Sequence, residues 1–207
     1  MSPPCASPSW SLHSLAFVIT RLKHVVYFSK NRYIIGMEVE KQYQYSIFKT
    51  RWGWFGLLGC QSGLIRTCLP VAFREAVEKR LLSGINNAVP AKKAYKSLEK
   101  DILAYYKGRR VDFNDVPICL EGMTEFQQNV LRTLQNVRYG ETCSYGDLAR
   151  WVKNPRAARV IGSVMAQNPL PLIVPCHRVI KTDGSLGYFS AAGGVQTKQR
   201  MLDLEKS

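Results

Sequence analysis

The sequence predicts a mixed α/β (α+β) protein built as two units, and three observations lead to that prediction. Short strand-like segments with Gly-containing breaks follow one another from Tyr43. Segments with apolar residues at helical spacing come after them and continue through the second half of the chain. Residues 108–117, G-R-R-V-D-F-N-D-V-P, mix charge with Gly and Pro, which is typical of a linker. A chain of 207 residues with 46% apolar side chains can bury a core of this size.

Residues 1–40 are predicted to form an N-terminal extension that is partly disordered. The opening M-S-P-P-C-A-S-P-S is rich in Pro and Ser, so we expect disorder up to about Trp10. The stretch before Glu38 lacks acidic residues, a weak similarity to an organellar transit peptide. No apolar run approaches the ~20 residues that span a bilayer, and residues 15–19 are too few for a signal-peptide core. We therefore expect no membrane association and a cytoplasmic protein, or a nuclear one in a eukaryote.

Residues 41–119 are predicted to form an N-terminal α/β domain and its linker. The strand-like segments are Y-Q-Y-S-I-F-K-T, W-G-W-F-G-L-L and G-L-I-R-T-C-L, and the breaks between them suit the hairpins of a small antiparallel sheet. Helices are predicted near residues 71–82 and 91–106. We expect both helices to pack on one face of the sheet.

Residues 120–207 are predicted to form a second domain that is mainly helical. Thr124 is a candidate N-cap for a helix that ends near position 135. Ser144 and Asp147 match the capping box that begins a second helix, and a third helix should follow Pro155. Two short helices joined by K-N-P are typical of a helix-turn-helix.

Composition favours a nucleic-acid partner and a reducing compartment. The chain has 29 Lys and Arg against 15 Asp and Glu, and this net charge of +14 attracts polyanions, although solubility alone is an alternative explanation. Its six cysteines contain no C-x-x-C pair, and no cysteine and histidine cluster has the spacing of a structural zinc site. No nucleotide-binding glycine motif is present. We predict no metal and no cofactor, with a dispersed zinc site as the alternative.

The segment that carries chemistry is N-P-L-P-L-I-V-P-C-H-R-V-I, residues 168–180. Its three prolines fix the backbone and remove donors, which suits a rigid wall that presents Cys176. A cysteine beside a histidine and an arginine, near a helix dipole, has surroundings that lower a thiol pKa. The alternative is a buried, inert cysteine.

The motif P-C-H-R-V resembles the active-site signature of the O6-alkylguanine-DNA alkyltransferases. The segments G-E-T-C-S-Y-G-D-L-A, N-P-R-A-A-R-V-I-G, N-P-x-P and D-G-S-L-G-Y-F-S resemble the same family in the same order, and together they cover about residues 122–205. The resemblance implies a small ribonuclease H-like N-terminal domain and a winged helix-turn-helix domain over residues 120–207 that carries the active site.

The resemblance also implies an activity, that of a methylated-DNA–[protein]-cysteine S-methyltransferase. Such a protein repairs double-stranded DNA by one irreversible transfer of a methyl or alkyl group from O6-alkylguanine to Cys176 after base flipping. O4-alkylthymine is a further candidate substrate. The implied protein is a monomer that needs no cofactor.

Four residues are expected to perform the transfer. Cys176 attacks as a thiolate, and His177 with Glu205 removes its proton by the logic of a catalytic triad. Since consecutive residues of an extended chain point to opposite sides, we expect a water molecule to bridge His177 and the sulfur. Asn168 matches the family asparagine that braces the turn around the active site.

Other residues are assigned to DNA and to the alkylated base. Arg159 matches the arginine that fills the vacated base stack, and Tyr145 matches the tyrosine that crowds the neighbouring phosphate. Ser190 lies where the lesion-binding loop is expected, although Y-F-S-A-A-G-G departs from the common Y-S-G-G pattern. The full assignment is Ser144, Tyr145 and Arg159 for DNA, and Pro171, Val179 and Ser190 for the substrate pocket.

Three other functions remain open from the residues alone. A lesion-binding protein of the same fold would lack a reactive cysteine, and Cys176 argues against it. A cysteine hydrolase would need an oxyanion-hole motif and an orienting Asn or Asp, which the neighbourhood of His177 does not offer. A transcription regulator would need a dimerisation element, which is not evident.

Overall fold

The computed structural model describes residues 22–29, 32–39, 41–91 and 93–206. Strands β1 (Leu22–Ser29) and β2 (Arg32–Val39) pair antiparallel in a two-stranded sheet of their own. The sequence analysis did not predict these strands within the 1–40 extension. The disorder that it expects up to Trp10 falls outside the described residues.

A four-stranded sheet follows, and it confirms the three predicted strands. The sheet has the order β5-β4-β3-β6, with antiparallel pairing of β3 to β4 and of β4 to β5. Strand β6 pairs parallel to β3 and was not predicted, because three residues carry no readable pattern and their partner is distant in sequence. The strands are β3 (Tyr43–Thr50), β4 (Gly53–Cys60), β5 (Gly63–Val71) and β6 (Ala88–Pro90).

The two helices of the first half lie on opposite faces of this sheet, so the expectation of a single covered face was wrong. Helix α1 (Arg74–Leu81) packs on the face of β4 that carries Leu58, whereas α2 (Lys96–Tyr105) packs on the face that carries Leu57. Successive side chains of a strand point to opposite faces, and β4 is buried on both. A strand that is apolar on both sides needs cover on both sides.

Helices dominate the second half of the chain, as predicted. A capping box at Thr124 begins the first of them, and Ser144 begins the second in the same way. The turn between the second and third contains Lys153 in the left-handed region, with φ 58°. The elements are α3 (Glu125–Gln135), β7 (Cys143–Ser144), α4 (Tyr145–Trp151), α5 (Ala158–Ala166), β8 (Val179–Ile180) and α6 (Gly194–Lys206), and β7 pairs parallel to β8.

The predicted linker at residues 108–117 is packed into the protein. Phe113 and Val116 are buried, and the Gln135 side chain donates hydrogen bonds to their carbonyl oxygens at 3.0 and 2.9 Å. One continuous buried cluster includes residues from both halves of the chain. The boundary between domains at residues 119 and 120 stays a prediction. Within the described part of the chain, no helix is long and apolar enough to cross a membrane.

We predict that Gln135→Ala lowers the free energy of unfolding by about 1–3 kcal/mol, because the Val116 carbonyl loses its side-chain donor and the Phe113 carbonyl keeps the Val116 N–H at 3.2 Å but loses the Gln135 amide. The measurement is chemical denaturation of both proteins at neutral pH. Gln199→Ala is the control, because Gln199 is exposed and bonds only the exposed Asp203. Equal stability of the two variants would contradict a structural role for the Gln135 amide.

Candidate active site

A tight loop over residues 168–175 presents the candidate nucleophile. The Asn168 side chain donates to the Val174 carbonyl at 2.9 Å and accepts from the Leu170 backbone N–H at 3.0 Å. Pro171 and Val174 form an isolated bridge, and Leu172 between them has φ 80°, a conformation that costs a non-glycine residue energy. The Asn168 amide therefore ties both sides of a strained loop together.

Strand β5 supports this loop from the first half of the chain. The Thr67 backbone N–H donates to the Pro169 carbonyl at 2.9 Å, and the Thr67 hydroxyl donates to the Pro171 carbonyl at 2.7 Å. Prolines lack an N–H but keep strong acceptors. The sheet edge thus supplies donors that the proline-rich loop cannot supply itself.

Cys176 begins a 3-10 turn, Cys176–Arg178, and is 6% exposed. The expectation of an extended chain at this point was wrong, since the backbone closes into a turn directly after Pro175. Cys176 lines a cavity of about 260 Å³ together with Asn168, Pro171 and Ser190. The sequence analysis did not predict the remaining lining residues, which are Arg66, Thr67, Cys68, Leu69, Arg80, Pro169, Phe189, Ala191 and Ala192.

The His177 imidazole and the Glu205 carboxylate meet in the interior. Nε2 of His177 lies 2.8 Å from Oε1 of Glu205, and both side chains are fully buried. Burial raises the pKa of Glu205, but hydrogen bonds and charge from His177 and Arg178 outweigh it and hold that pKa at about 2. A carboxylate with this pKa is ionised at neutral pH, so Nε2 carries the proton that faces it.

Arg178 completes this cluster from inside the protein. Its Nε and one terminal nitrogen donate to the two Glu205 oxygens at 2.9 and 3.0 Å, and its other terminal nitrogen donates to the Val137 carbonyl. The Arg178 side chain is 2% exposed, and two of its nitrogens are hydrogen-bonded to the Glu205 carboxylate. From the sequence, Arg178 was expected to help activate the thiol, whereas its contacts assign it to Glu205.

Burial raises the pKa of the Cys176 thiol, so the expectation of a lowered value was wrong. Loss of water disfavours the thiolate more than its neighbours favour it. The opposing groups are the Asn168 side chain, the Lys198 ammonium and the backbone N–H groups of Cys176 and His177. The candidate nucleophile is therefore a thiol at neutral pH and would need a base.

His177 is suited to act as that base. Burial lowers its pKa, and the pull of Glu205 in the other direction does not compensate, so the ring is neutral at pH 7. With the proton on Nε2, Nδ1 holds the free lone pair. Nδ1 is buried and has no hydrogen-bond partner among the described residues. A water molecule between Nδ1 and the sulfur would relay the proton.

The predicted DNA residues lie on α4 and α5. Tyr145 is half-buried at the start of α4 against Gly187, while Arg159 is exposed in the first turn of α5. The Ser144 hydroxyl caps α4, accepting from the Asp147 N–H at 3.0 Å. Val179 is fully buried and is absent from the cavity lining; its carbonyl accepts from Lys198.

Two residues of the site were missed by sequence reasoning. Lys198 is fully buried, and its positive charge lowers the pKa of Cys176. The Tyr105 hydroxyl donates to Glu205 at 2.8 Å. In the sequence, Lys198 looks like a solvated helix charge, and Tyr105 looks like one more apolar position on a helix face. No local signal distinguishes them.

Comparison with known proteins gives a consistent result. The family model for the DNA binding domain of 6-O-methylguanine DNA methyltransferase matches residues 125–207. A methylated-DNA–protein-cysteine methyltransferase from Methanosarcina acetivorans is 36% identical over 164 residues, which cover 79% of this chain and 98% of the relative. Another from Mycobacterium tuberculosis is 44% identical over 115 residues, which cover 55% of this chain and 67% of the relative.

Solved structures extend the similarity to the fold. A crystal structure of M. tuberculosis OGT in complex with DNA has a TM-score of 0.64 and 33% identity, covering 79% of this chain and 93% of that one. The O6-methylguanine-DNA methyltransferase of Pyrococcus kodakaraensis has a TM-score of 0.60 and 25% identity, covering 80% of this chain and 99% of that one. The mixed α/β arrangement of sheet and helices is therefore shared.

We predict that acid removes a stabilising contribution of Glu205. Its folded pKa of about 2 lies below the ordinary 4.5, so the contribution is complete above about pH 4.5 and is lost as the pH falls toward 2. The stability gap between the wild type and Glu205→Gln should shrink by about 3 kcal/mol over this range.

The measurement is urea unfolding of both proteins at several pH values. Asp203→Asn is the control, because Asp203 is an exposed carboxylate of the same helix. Asp203→Asn keeps Glu205 and its donors, so it should still lose the Glu205 contribution in acid. A constant gap between the wild type and Glu205→Gln from pH 5 to pH 2 would contradict the assignment.

Proposed function

Because this chain belongs to the methylated-DNA–protein-cysteine methyltransferase family, we propose that it repairs DNA by moving an alkyl group from O6 of guanine onto its own Cys176. The observation that carries the proposal is a buried thiol that lines a cavity and is followed in the chain by a neutral imidazole, which is hydrogen-bonded to a fixed carboxylate. O6-alkylguanine in double-stranded DNA is the proposed substrate, and a monomer is the proposed acting form.

The chemistry follows from the protonation states of these groups. His177 takes the thiol proton through water, and the thiolate then attacks the alkyl carbon. A sulfur–carbon bond forms while the bond from that carbon to O6 breaks. The electron pair of the broken bond stays on O6, and the guanine takes up the proton. The normal base is thereby restored within the DNA strand. The thioether product is a poor leaving group, so each molecule acts once.

The DNA-binding role is proposed for α4, α5 and the turn between them, as the helix-turn-helix of a winged domain. Lys153, Arg156 and Arg159 are exposed along the turn and the start of α5. A cluster of exposed cations supplies sequence-independent affinity for phosphates. The first half of the chain, with its mixed sheet and helices on both faces, is proposed to be the ribonuclease H-like domain.

Base flipping is required because an alkyl carbon inside a base stack cannot be reached in line by sulfur. Tyr145 is half-buried and lies close enough to Cys176 for the two groups to interact electrostatically, while burial is the main cause that raises the Tyr145 pKa. This position supports contact with the flipped nucleotide. Arg159 is exposed and has no hydrogen-bond or ion-pair partner within the described residues, so its guanidinium is free to enter the duplex. Ser190, on the rim of the cavity, is the proposed contact for O6.

We predict that wild-type protein incubated with excess O6-methylguanine DNA gains one methyl group, located on Cys176, and then stops. Intact-mass and peptide mass spectrometry measure the gain over several hours. Cys176→Ala should show no transfer while it keeps DNA affinity. Cys119→Ala should behave as the wild type, since Cys119 lies outside the cavity lined by Cys176. Product in excess of protein would overturn the single-turnover mechanism.

We also predict that Arg159→Ala slows repair of duplex DNA by about 10- to 100-fold, because unstacking a base costs a few kcal/mol. Transfer from free O6-benzylguanine should change little, since a free base leaves no gap to fill. Arg156→Ala is the control, because Arg156 is an exposed arginine of the turn just before α5, and it should weaken binding in a salt-dependent way. The measurement is single-turnover kinetics on both substrates. Equal loss on both would make Arg159 a structural residue.

A further inference from the structure

We propose that Tyr105, a residue of the first half of the chain, positions the His177–Glu205 pair for proton transfer. The inference rests on the proposed function, because it concerns the base of that reaction. Tyr105 does not touch the cavity that Cys176 lines, so it would act through Glu205 and His177.

The geometry places the phenol at the point where the pair meets. The Tyr105 hydroxyl donates to Oε1 of Glu205 at 2.8 Å and lies 3.5 Å from Nε2 of His177. Tyr105 is the last residue of α2, and 100 positions separate it from Glu205. All three side chains are buried. The contact therefore comes from an element that supplies no residue to the thiol itself.

The hydrogen bonds to Glu205 show what this donor does. Oε1 accepts from Tyr105, from Nε2 of His177 and from Arg178, whereas Oε2 accepts from Arg178 and from the Gly140 N–H at 3.1 Å. Without the phenol, only Arg178 and the imidazole itself would direct Oε1. Oε1 of Glu205 would then be held less firmly as the acceptor for Nε2 of His177. The orientation of the ring, and of its Nδ1 lone pair, would be less defined.

The Tyr105 phenol remains a neutral donor under all conditions of interest. Burial raises its pKa well above the ordinary value of 10.0, and the neighbouring carboxylate of Glu205 raises it further. A phenol that never ionises adds no charge to the interior. The phenol therefore orients the Glu205 carboxylate by a hydrogen bond, whereas Arg178 also adds a positive charge.

The next residue offers an internal control. Tyr106 is 1% exposed, and its hydroxyl is buried without a hydrogen-bond partner among the described residues. The two rings pack edge to face with centroids 5.2 Å apart. Removing either hydroxyl deletes one buried oxygen from the same core. Only the Tyr105 hydroxyl touches the His177–Glu205 pair.

The experiment compares Tyr105→Phe with Tyr106→Phe in the full chain. We expect Tyr105→Phe to lower the maximal rate constant of methyl transfer about tenfold, the size of one lost hydrogen bond of about 1.4 kcal/mol. The DNA concentration at half-maximal rate should not change, since Tyr105 is fully buried and cannot contact DNA. Tyr106→Phe should match the wild type in both quantities. Matching rate constants for the two variants would overturn the inference.

A second readout does not depend on DNA repair. In nitrogen-15 NMR spectra, the Nε2–H of His177 should exchange faster with water in Tyr105→Phe, and the ring should titrate at a different pH. The groups that face the pair are Tyr105, Arg178 and Lys198, with Tyr139 packed against the Tyr105 ring. Arg178, Lys198 and Tyr139 are unchanged in Tyr105→Phe, so a change in the His177 signals is due to the lost hydroxyl.

The two readouts separate the failure of this inference from the failure of the proposed function. If the wild type transfers no methyl group, the proposed function fails, and the His177 spectra still decide the role of Tyr105. If the wild type transfers normally and the His177 spectra of the two variants coincide, the positioning role is wrong. Thermal unfolding of both variants shows that the comparison is made on folded proteins.

Discussion

The buried carboxylate of Glu205 is the constraint on which the active site depends. An ionised carboxylate inside a protein is costly unless several donors satisfy it. Here the donors come from separate parts of the chain: Tyr105 from α2, Gly140 from the loop before β7, and His177 with Arg178 from the 3-10 turn. Satisfying one charge therefore requires both halves of the protein to pack together. The same contacts fix the direction of the imidazole, so stability and chemistry share one set of hydrogen bonds.

The environment of Cys176 requires a different route of activation from that of cysteines that are already thiolates at rest. Many reactive cysteines sit in exposed, electropositive surroundings that lower the thiol pKa. In this protein burial dominates, and the positive charge of Lys198 and the amide of Asn168 only moderate its effect. The resting form of Cys176 is thus the neutral thiol. Proton removal, which we propose for His177, then has to precede attack by the sulfur.

The first half of the chain contributes to the site as well as to the core. The Thr67 hydroxyl and backbone N–H hold the carbonyls of Pro169 and Pro171 and so fix the loop that precedes Cys176. Side chains of β5 also line the cavity. The helices that carry the proposed DNA residues lie in the other half. The cavity beside Cys176 is consequently lined by both parts of the fold, while the exposed cations proposed to bind DNA belong to one of them.

Much of this protein is determined by sequence patterns that act locally. The N-caps Thr124 and Ser144 are readable because their partners are three residues away, and the hairpin strands are readable because Gly-containing turns separate them. The ordered motifs around P-C-H-R-V were sufficient to identify the family, and they predict Cys176 as the nucleophile. Tertiary structure decided the placement of α1 and α2 on opposite faces, the burial of Lys198, the bond from Tyr105 to Glu205 and the raised thiol pKa. These features depend on desolvation and on contacts between distant residues. A linear pattern records which side chains are present, but burial by the folded chain sets which of them lose water and which neighbours they meet.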